Sequence, residues 1–249
     1  MNSSYGIFAE FYDTLTGNID YRRRAEFFDS AVKRFGGKTQ GLLLDLACGT
    51  GSLSEEFDEL GYDVIAVDIS PEMLGTAMNK KIESGRNIQY VCQDMRNLEL
   101  YGNVDTTICA LDSLNHLDSI DDINKVFSKV YTFTEPDGLF IFDINTQYKH
   151  QKVLGNNTFV YDTDDVYCVW QNTCSNSRVQ IDLDFFVPNE DDSYSRYCES
   201  FYENAYPLEM IEDSLRNAGF TLLGCFDEDS FEPPSEESQR VVFAARKEN

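Results

Sequence analysis

The sequence predicts an α/β protein of the doubly wound, Rossmann-like type, with a seven-stranded and mostly parallel sheet. Between about residues 42 and 145, short apolar runs alternate with segments of helical periodicity, which is typical of a parallel sheet covered by helices. From about residue 158 to residue 206 the pattern changes to apolar–polar alternation broken by Asp, Asn and Ser. That period is typical of antiparallel strands, so we expect an antiparallel β insertion after the fifth strand.

Residues 1–37 are predicted to form an N-terminal helical cap. The segment up to Gly17 is rich in aromatic residues, and apolar residues recur at three-and-four spacing over 20–35, which indicates a helix. Core packing accounts for the tyrosines of this cap, although a ring with a hydroxyl would also suit a binding surface. Residues 1–4 lack the basic-then-apolar character of a signal peptide, so we expect a cytoplasmic protein.

The strongest functional signal is the glycine-containing turn after the first predicted strand. The apolar run 42–44 is followed by Asp45 and then by Ala47, Gly49 and Gly51. Glycine allows a tight turn and lets the backbone approach a ligand closely. The helix that follows points its free N–H groups toward the same place. The pattern therefore indicates a nucleotide-type binding turn.

This turn has four possible explanations, of which three are ligand sites and one is a purely structural corner. A dinucleotide site needs G-x-G-x-x-G, but Ala47 and Gly49 hold the first two positions and no glycine stands three residues after Gly49. A P-loop needs a lysine, which the turn lacks. Asp45 would repel a phosphate, so a cationic, amine-bearing ligand such as S-adenosylmethionine (SAM) fits better. A plain strand–turn–helix corner remains open for these ten residues alone.

Acidic residues also follow the later strands of the predicted sheet. These strands are expected over 62–68, 88–95 and 104–111. Asp68 ends the second strand, on the order of 20 residues past the turn, where an acid accepts hydrogen bonds from ribose hydroxyls. Asp94 ends the third strand and is a candidate partner for an adenine amino group. Ser70 and Pro71 then suit the N-cap and the first position of the next helix.

With these residues in place, the sequence resembles the class I SAM-dependent methyltransferases. The matching motifs are DLACGTG at 45–51, VDIS with PEML at 67–74, QDM at 93–95 and LDSLNHL at 111–117. Within the family it is most similar to small-molecule N-methyltransferases that act on amino sugars and other small amines, because YGIFAEFYD at 5–13 followed by Tyr21 is typical of that subgroup. The resemblance implies that SAM is bound and S-adenosylhomocysteine is released, and that the N-terminal segment folds over the pocket as a lid.

The resemblance also implies which residues bind SAM. Asp45 is expected to attract its ammonium group, Asp68 to hold the ribose, and Asp94 with the Met95 backbone to hold the adenine. Leu111 is expected to offer its carbonyl to the ammonium. The complete set of expected cofactor-binding residues is Tyr12, Tyr21, Asp45, Ala47, Gly49, Gly51, Asp68, Ile69, Asp94, Met95, Leu111 and Asp112.

A catalytic base is less clearly indicated than the cofactor site. His116 is the leading candidate because it follows the fourth strand at the ligand-binding edge, and His150 is similarly placed after the fifth. A histidine in such a helix-forming run is more often a packed or capping group. A neutral amine needs no base at the moment of attack, whereas a hydroxyl often does. Asp112 is a candidate for orienting an ammonium substrate.

The remaining elements complete the predicted fold. Helices are expected over 52–60, 71–83 and 119–133, a Pro-Asp-Gly turn at 136–138, and the fifth strand over 139–145. A helix over 207–218 ends at Gly219, and strands 221–226 and 240–246 form an antiparallel hairpin at the sheet edge. The acidic loop 227–237 between them is expected to be solvated and mobile.

The chain is therefore divided into three parts. Residues 1–37 form the cap or lid, residues 38–150 and 207–249 form the SAM-binding domain, and residues 151–206 form the antiparallel insertion. The insertion would either roof a substrate pocket or supply a dimer surface, and both alternatives remain open at this point. Correspondingly, we expect a monomer or a homodimer.

Composition restricts the classes of partner. The 249 residues carry 44 acidic and 20 basic side chains, for a formal charge of −24, and such a surface repels nucleic acid phosphates. No apolar stretch has the length of a membrane span. Seven cysteines without C-x-x-C spacing and two histidines do not indicate a metal site. We therefore expect a small-molecule substrate, with an amine or cation favoured.

The sequence thus predicts a SAM-dependent methyltransferase that transfers the methyl group by in-line displacement to a small-molecule nucleophile. An amine nitrogen is favoured over an oxygen. Two alternatives stay open: a SAM-binding protein without catalysis, and an NAD-dependent oxidoreductase, against which the missing third glycine counts.

Overall fold

The computed structural model of the chain describes residues 5–228 and 230–249. Residues 1–4 of the predicted cap and Asp229 of the predicted acidic loop lie outside the described residues. The helices are α1 (Tyr5–Leu15), α2 (Tyr21–Arg34), α3 (Ser52–Glu59), α4 (Pro71–Ser84), α5 (Ile120–Phe133) and α6 (Leu208–Ala218). The strands are β1 (Leu42–Leu46), β2 (Asp63–Asp68), β3 (Gln89–Cys92), β4 (Val104–Cys109), β5 (Thr134–Asn145), β6 (Thr158–Asp162), β7 (Tyr167–Ser175), β8 (Arg178–Pro188), β9 (Tyr194–Asn204), β10 (Thr221–Asp227) and β11 (Arg240–Arg246).

Seven of these strands form the main sheet in the order β10-β11-β5-β4-β1-β2-β3. Strands β1 to β5 pair in parallel, whereas β11 is antiparallel to both β5 and β10. The predicted seven-stranded, mostly parallel sheet is therefore confirmed, together with its terminal antiparallel hairpin. The carboxyl ends of β1 to β5 lie at one edge, where ligands bind in sheets of this kind.

Local sequence explains where the flanking helices begin and end. The Ser70 hydroxyl accepts a hydrogen bond from the N–H of Met73 at 3.1 Å, and Pro71 occupies the first turn of α4, as predicted. Gly219 ends α6 with φ of 104°, a left-handed conformation that glycine adopts without steric cost. The two capping predictions are confirmed.

Alternate residues of the central strands supply two separate hydrophobic clusters, one on each face of the sheet. On one face Phe140 and Phe142 of β5 pack with α5 and α6. On the other face Ile141 packs with Phe28 of α2 and Phe57 of α3. Both faces of the parallel sheet are therefore covered, which explains why its strands read as continuous apolar runs. No helix in the described ranges is long and apolar enough to cross a membrane.

The insertion after β5 forms a second, antiparallel sheet of four strands in the order β6-β7-β8-β9, as predicted. Along β8, Val179, Ile181, Leu183 and Phe185 are buried, and the residues between them are more exposed. This apolar face packs against α1 in a third hydrophobic cluster. The N-terminal helix therefore lies between the two sheets.

Two details differ from the sequence predictions. Strand β5 begins at Thr134, which pairs with Val104, and the next pair is Leu139 with Thr106. The predicted Pro-Asp-Gly turn thus lies in a bulge inside the strand. The acidic loop is not wholly solvated as expected, because the Phe231 ring packs 5.1 Å from that of Phe27 on α2.

Candidate functional site

Three connected cavities lie at the carboxyl edge of the main sheet. The glycine-turn cavity, of about 40 Å³, lies against the turn after β1. The strand-end groove, of about 190 Å³, crosses the ends of β2 and β3 and shares Ala47 with it. The large cavity, of about 650 Å³, shares Tyr12 and Leu111 with the first and His116 with the second. Its size is within the range of small-molecule pockets.

The structure brings eleven of the twelve expected cofactor-binding residues to these cavities. The glycine-turn cavity is lined by Tyr12, Tyr21, Asp45, Ala47, Gly49 and Leu111. The strand-end groove is lined by Ala47, Asp68, Ile69, Asp94 and Met95, and the large cavity takes Asp112. Gly51 lines none of the three.

The two glycines of the turn have different roles. Gly49 has φ of 54°, and no atom lies within 4 Å of where its Cβ would be, so its open side faces the cavity. Gly51 has φ of 75°, and a Cβ there would lie 2.3 Å from the Tyr90 hydroxyl. Gly51 is therefore required for packing against β3. The sequence could not separate these roles, because both glycines stand in the same motif.

Asp45 is a buried carboxylate in the wall of the glycine-turn cavity. Its side chain accepts a hydrogen bond from the Ser54 hydroxyl at 2.5 Å, and the residue is 2% exposed. Burial raises the pKa of Asp45 to about 7, with a further contribution from the nearby Asp68. Such a group is suited to a cationic ligand, whose charge would offset the cost of ionisation.

Asp68 is held in place by backbone groups at the floor of the strand-end groove. One oxygen accepts the N–H of Gly49 and the other that of Ser70, both at 2.8 Å. Each carboxylate oxygen can accept a second hydrogen bond. Burial raises the pKa of this carboxyl group despite those bonds. The arrangement leaves Asp68 able to accept ligand hydroxyls.

Asp94 is occupied by a neighbouring cation. Arg96 donates to both of its oxygens at 2.7 to 3.0 Å, and this contact keeps the pKa of Asp94 below its usual value. The carboxylate is therefore neutralised locally, in contrast to Asp45 and Asp68.

A strained turn follows β4 at the junction of the glycine-turn and large cavities. Leu111 and Asp112 have φ of 57° and 55°, a left-handed conformation that is costly for residues other than glycine. Their N–H groups donate to the two oxygens of Asp143 at 2.9 and 2.7 Å. Sequence analysis missed Asp143, although a lone acid in the apolar run of β5 was a visible signal.

Asp143, which is completely buried, also anchors a cluster of charges in the wall of the large cavity. Arg240 contacts Asp143 at 2.6 Å and Asp112 at 2.9 Å, and Arg24 contacts Asp143 at 3.3 Å. Glu228 forms ion pairs with both arginines, at 2.5 and 3.1 Å. Because each charge has an opposite partner, the cost of burying the cluster is offset.

The cluster fixes the ionisation of Asp112. Burial opposes its charged form, but Arg240 and Lys149 outweigh that effect and hold the pKa of Asp112 below its usual range. Asp112 also accepts the side-chain N–H of Asn145 at 2.6 Å. It is therefore a fixed anion in the wall of the large cavity.

The two histidines are placed differently. His116 is exposed and lies between the strand-end groove and the large cavity, with its ring 5.4 Å from that of Phe201. His150 is completely buried, its Nδ1 lies 2.9 Å from the carbonyl oxygen of Ser177, and it lines none of the three cavities. The similar placement expected from the sequence is not found.

Helix α1 is fastened over the glycine turn. Asp13 accepts hydrogen bonds from the hydroxyls of Thr50 at 2.7 Å and Ser52 at 3.1 Å, and it forms an ion pair with Lys80 of α4. At its other end, the N–H of Phe8 donates to Glu199 of β9 at 3.1 Å. The helix thus connects the main sheet to the insertion directly above the cavities.

Comparisons with known proteins agree with this geometry. A family described as "Methyltransferase domain" matches residues 43–138. The chain is 31% identical over 246 residues to the "Putative methyltransferase YqeM" of Bacillus subtilis (strain 168), which covers 98% of this chain and 97% of that protein. It is 26% identical over 254 residues to the "Glycine/sarcosine N-methyltransferase" of Parasynechococcus marenigrum (strain WH8102), with coverage of 96% and 83%.

A solved structure extends the agreement to three dimensions. The SAM-dependent methyltransferase from Clostridium acetobutylicum ATCC 824 matches with a TM-score of 0.88 and 34% identity, over 98% of this chain and 99% of that chain. The sequence and the fold both indicate the same family, and so does the position of the acidic residues at one edge of the sheet. The protein belongs to the class I SAM-dependent methyltransferases, and SAM is its methyl donor.

Proposed function

We propose that this enzyme methylates the nitrogen of a small-molecule amine bound in the large cavity. The observation that carries the proposal is the position of this cavity, which adjoins the glycine-turn cavity at Tyr12 and Leu111. Of the eight charged side chains in its wall, four are acidic and four are basic. Asp112 and Glu228 are paired with Arg240, whereas Glu203 forms no ion pair with a lysine or arginine of the described chain and suits an amine-bearing acceptor. The similarity to a glycine/sarcosine N-methyltransferase supports the same class of acceptor.

The residues around the smaller cavities fit the chemistry of SAM. Asp45 would hold the ammonium group, together with the Leu111 carbonyl, and Gly49 would allow the backbone to approach the amino acid part. Asp68 would accept the ribose hydroxyls. In the proposed arrangement Asp94, Met95 and the exposed Ile69 bind the adenine side, and Tyr12 and Tyr21 cover the glycine-turn cavity from above.

We propose that the insertion roofs the acceptor site. Phe159, Tyr161 and Trp170 from β6 and β7 line the large cavity, as does Phe201 from β9. Aromatic rings provide apolar contact area and exclude water from the reacting groups. In this proposal residues 151–206 contribute to substrate binding, and the described part of residues 1–37 covers the site.

SAM supplies a methyl group that is activated by its attachment to a sulfonium. The chain then has to bind the acceptor, orient its nitrogen toward the methyl group and exclude water. A neutral amine attacks with its own lone pair, so no base is required at that moment. A hydroxyl acceptor does require a base, and His116 is the proposed base for such an acceptor because it borders both the groove and the large cavity.

The test is incubation with methyl-labelled SAM and paired small amines, alcohols and phenols of matched shape. We expect the label in N-methyl products of the amines, and any O-methylation to be slower in His116→Ala. Label found only in O-methyl products would refute the preference for nitrogen. Tight binding of SAM without labelled product from any acceptor would instead favour a non-catalytic SAM-binding protein.

A further inference from the structure

Glu203 of β9 differs from the other carboxylates of the large cavity. Its side chain is 6% exposed, and one oxygen, Oε2, lies 3.2 Å from Nδ2 of Asn145 and 3.5 Å from Nε2 of His150. Within the described part of the chain, no hydrogen bond to the other oxygen, Oε1, is formed. By contrast, Asp112 and Glu228 are both paired with Arg240. Glu203 therefore keeps an accepting oxygen for a ligand.

The contact with His150 determines where a proton must lie. Nδ1 of His150 faces the carbonyl oxygen of Ser177 at 2.9 Å, and a carbonyl only accepts, so Nδ1 carries hydrogen. In a neutral ring, Nε2 would then present a lone pair to the carboxylate oxygen Oε2. Both groups are buried, where opposed lone pairs are costly. Within the described residues Nε2 has no hydrogen-bond partner, so its contact with Oε2 fixes the side of Glu203 that faces away from the ligand and leaves Oε1 as an acceptor.

Asn145 fixes the orientation of this pair. Its Oδ1 accepts a hydrogen bond from Lys149 at 2.9 Å, so its Nδ2 is directed toward Asp112 and Glu203. Asn145 lies at the end of β5, beside the turn after β4 that separates the large cavity from the glycine-turn cavity. Glu203 is thus held next to the place where the acceptor and the methyl donor meet.

We propose that Oε1 of Glu203 binds the ammonium group of the acceptor and receives its proton, with His150 as the buried positioning residue. This inference rests on the proposed N-methyltransferase function. One N–H proton passes to Oε1, which frees the lone pair of the nitrogen. That lone pair forms the new carbon–nitrogen bond while the carbon–sulfur bond breaks and its electron pair stays on sulfur. The proton leaves Glu203 for solvent when the methylated ammonium product departs.

The first test measures ligand binding at Glu203 and does not depend on turnover. The chain contains two histidines, so ring-¹⁵N-histidine NMR gives two sets of signals, which His116→Ala assigns. In protein saturated with S-adenosylhomocysteine, we expect methylammonium chloride to shift the His150 signals saturably. Glu203→Gln should abolish the shift, whereas Glu190→Gln, which changes an exposed acid in the turn between β8 and β9, should retain it. A wild-type protein without the shift, or an unchanged response in Glu203→Gln, would overturn the proposal.

The second test uses an amine that the labelling experiment identifies as an acceptor. Loss of a charge-assisted hydrogen bond predicts a KM for the acceptor that is raised roughly tenfold to a hundredfold in Glu203→Gln, with an unchanged KM for SAM. Glu203→Asp should recover part of the loss. His150→Asn, which retains a donor for Ser177 but lacks Nε2, should alter the pH dependence of the acceptor KM.

The two proposals fail in different ways. Wild-type kinetics for amine methylation in Glu203→Gln would refute the role of Glu203 and leave the N-methyltransferase assignment intact. Exclusive methylation of phenols would refute that assignment, and the methylammonium titration would still decide whether Glu203 binds an ammonium group. If Glu203→Gln is misfolded, Glu203→Ala, which also removes the carboxylate, takes its place, and an unaltered His150 response to methylammonium in it would contradict the proposal.

Discussion

The proposed cofactor side and the proposed acceptor side of the site are built in different ways. The glycine-turn cavity and the strand-end groove are made mainly from residues 45–118, and their key contacts use backbone N–H groups, such as that of Gly49 to Asp68. The large cavity collects side chains from both ends of the chain and from the insertion. Arg24 and Glu228, which pair in its wall, are 204 residues apart. A local sequence motif therefore specifies the proposed cofactor side, whereas the proposed acceptor side forms only when the complete chain is folded.

Asp143 joins the two sides, and its replacement is expected to have the largest effect. It holds the turn at Leu111 and Asp112 with one set of contacts and neutralises Arg24 and Arg240 with another. Its side chain is completely buried, and removal of one member of a buried ion pair costs about 3–5 kcal/mol. We expect Asp143→Asn to lower the free energy of unfolding by about that amount, measured by urea denaturation.

The matched control for this variant is Asp213→Asn. Asp213 pairs with Arg216 on α6, but its side chain is 68% exposed, so its removal should change stability little. An Asp143→Asn protein that unfolds at the same urea concentration as the wild type would show that Asp143 does not hold the two sides together.

The second prediction isolates the cofactor side by comparing the two ends of β2. Asp68 accepts backbone N–H groups at the carboxyl end of this strand, whereas Asp63 is exposed at its start. Loss of charge-assisted hydrogen bonds to the ribose predicts that Asp68→Ala weakens SAM binding roughly tenfold to a hundredfold. Asp63→Asn should bind SAM as the wild type does. Isothermal calorimetry measures both.

An unchanged SAM affinity in Asp68→Ala would remove the basis for placing the ribose at the end of β2. Equal losses in both variants would indicate a general effect of acidic charge in place of a contact. Either result would contradict the view that the cofactor side is encoded by strand-end acids.

The same comparison explains how much the sequence could predict. The seven-stranded sheet, the insertion and the strand-end acids were predictable because each follows from a local period or from a residue at a strand end. The separate roles of Gly49 and Gly51 were not, because the difference depends on Tyr90, which lies on another strand.

Most residues of the proposed acceptor side could not be predicted from the sequence, and the reason is physical. Glu203 lies in an alternating strand of the insertion, where its neighbours Tyr202 and Asn204 give no sign that it points inward. Its partner Asn145 is 58 residues away, and nothing in local periodicity relates the two positions. His116 and His150 looked equivalent in the sequence, yet one is exposed and the other completely buried.

The last prediction concerns the pH dependence of SAM binding, and its expected effect is the smallest. Burial raises the pKa of Asp45 to about 7, so the carboxyl group is largely protonated below that pH and cannot attract an ammonium group. A bound ammonium favours the ionised form, so binding releases a proton and affinity rises with pH. For a group of this pKa, the rise between about pH 6 and about pH 8 is roughly tenfold.

Calorimetry in buffers of different ionisation enthalpy would measure both the affinity and the released proton. Asp45→Asn should bind SAM more weakly at high pH and lose most of this dependence, because the titrating group is gone. On the acceptor side the paired Asp112 has its pKa held below the usual range, so it stays ionised throughout the same interval. An affinity that stays flat or falls with rising pH in the wild type would therefore contradict the placement of the SAM ammonium at Asp45.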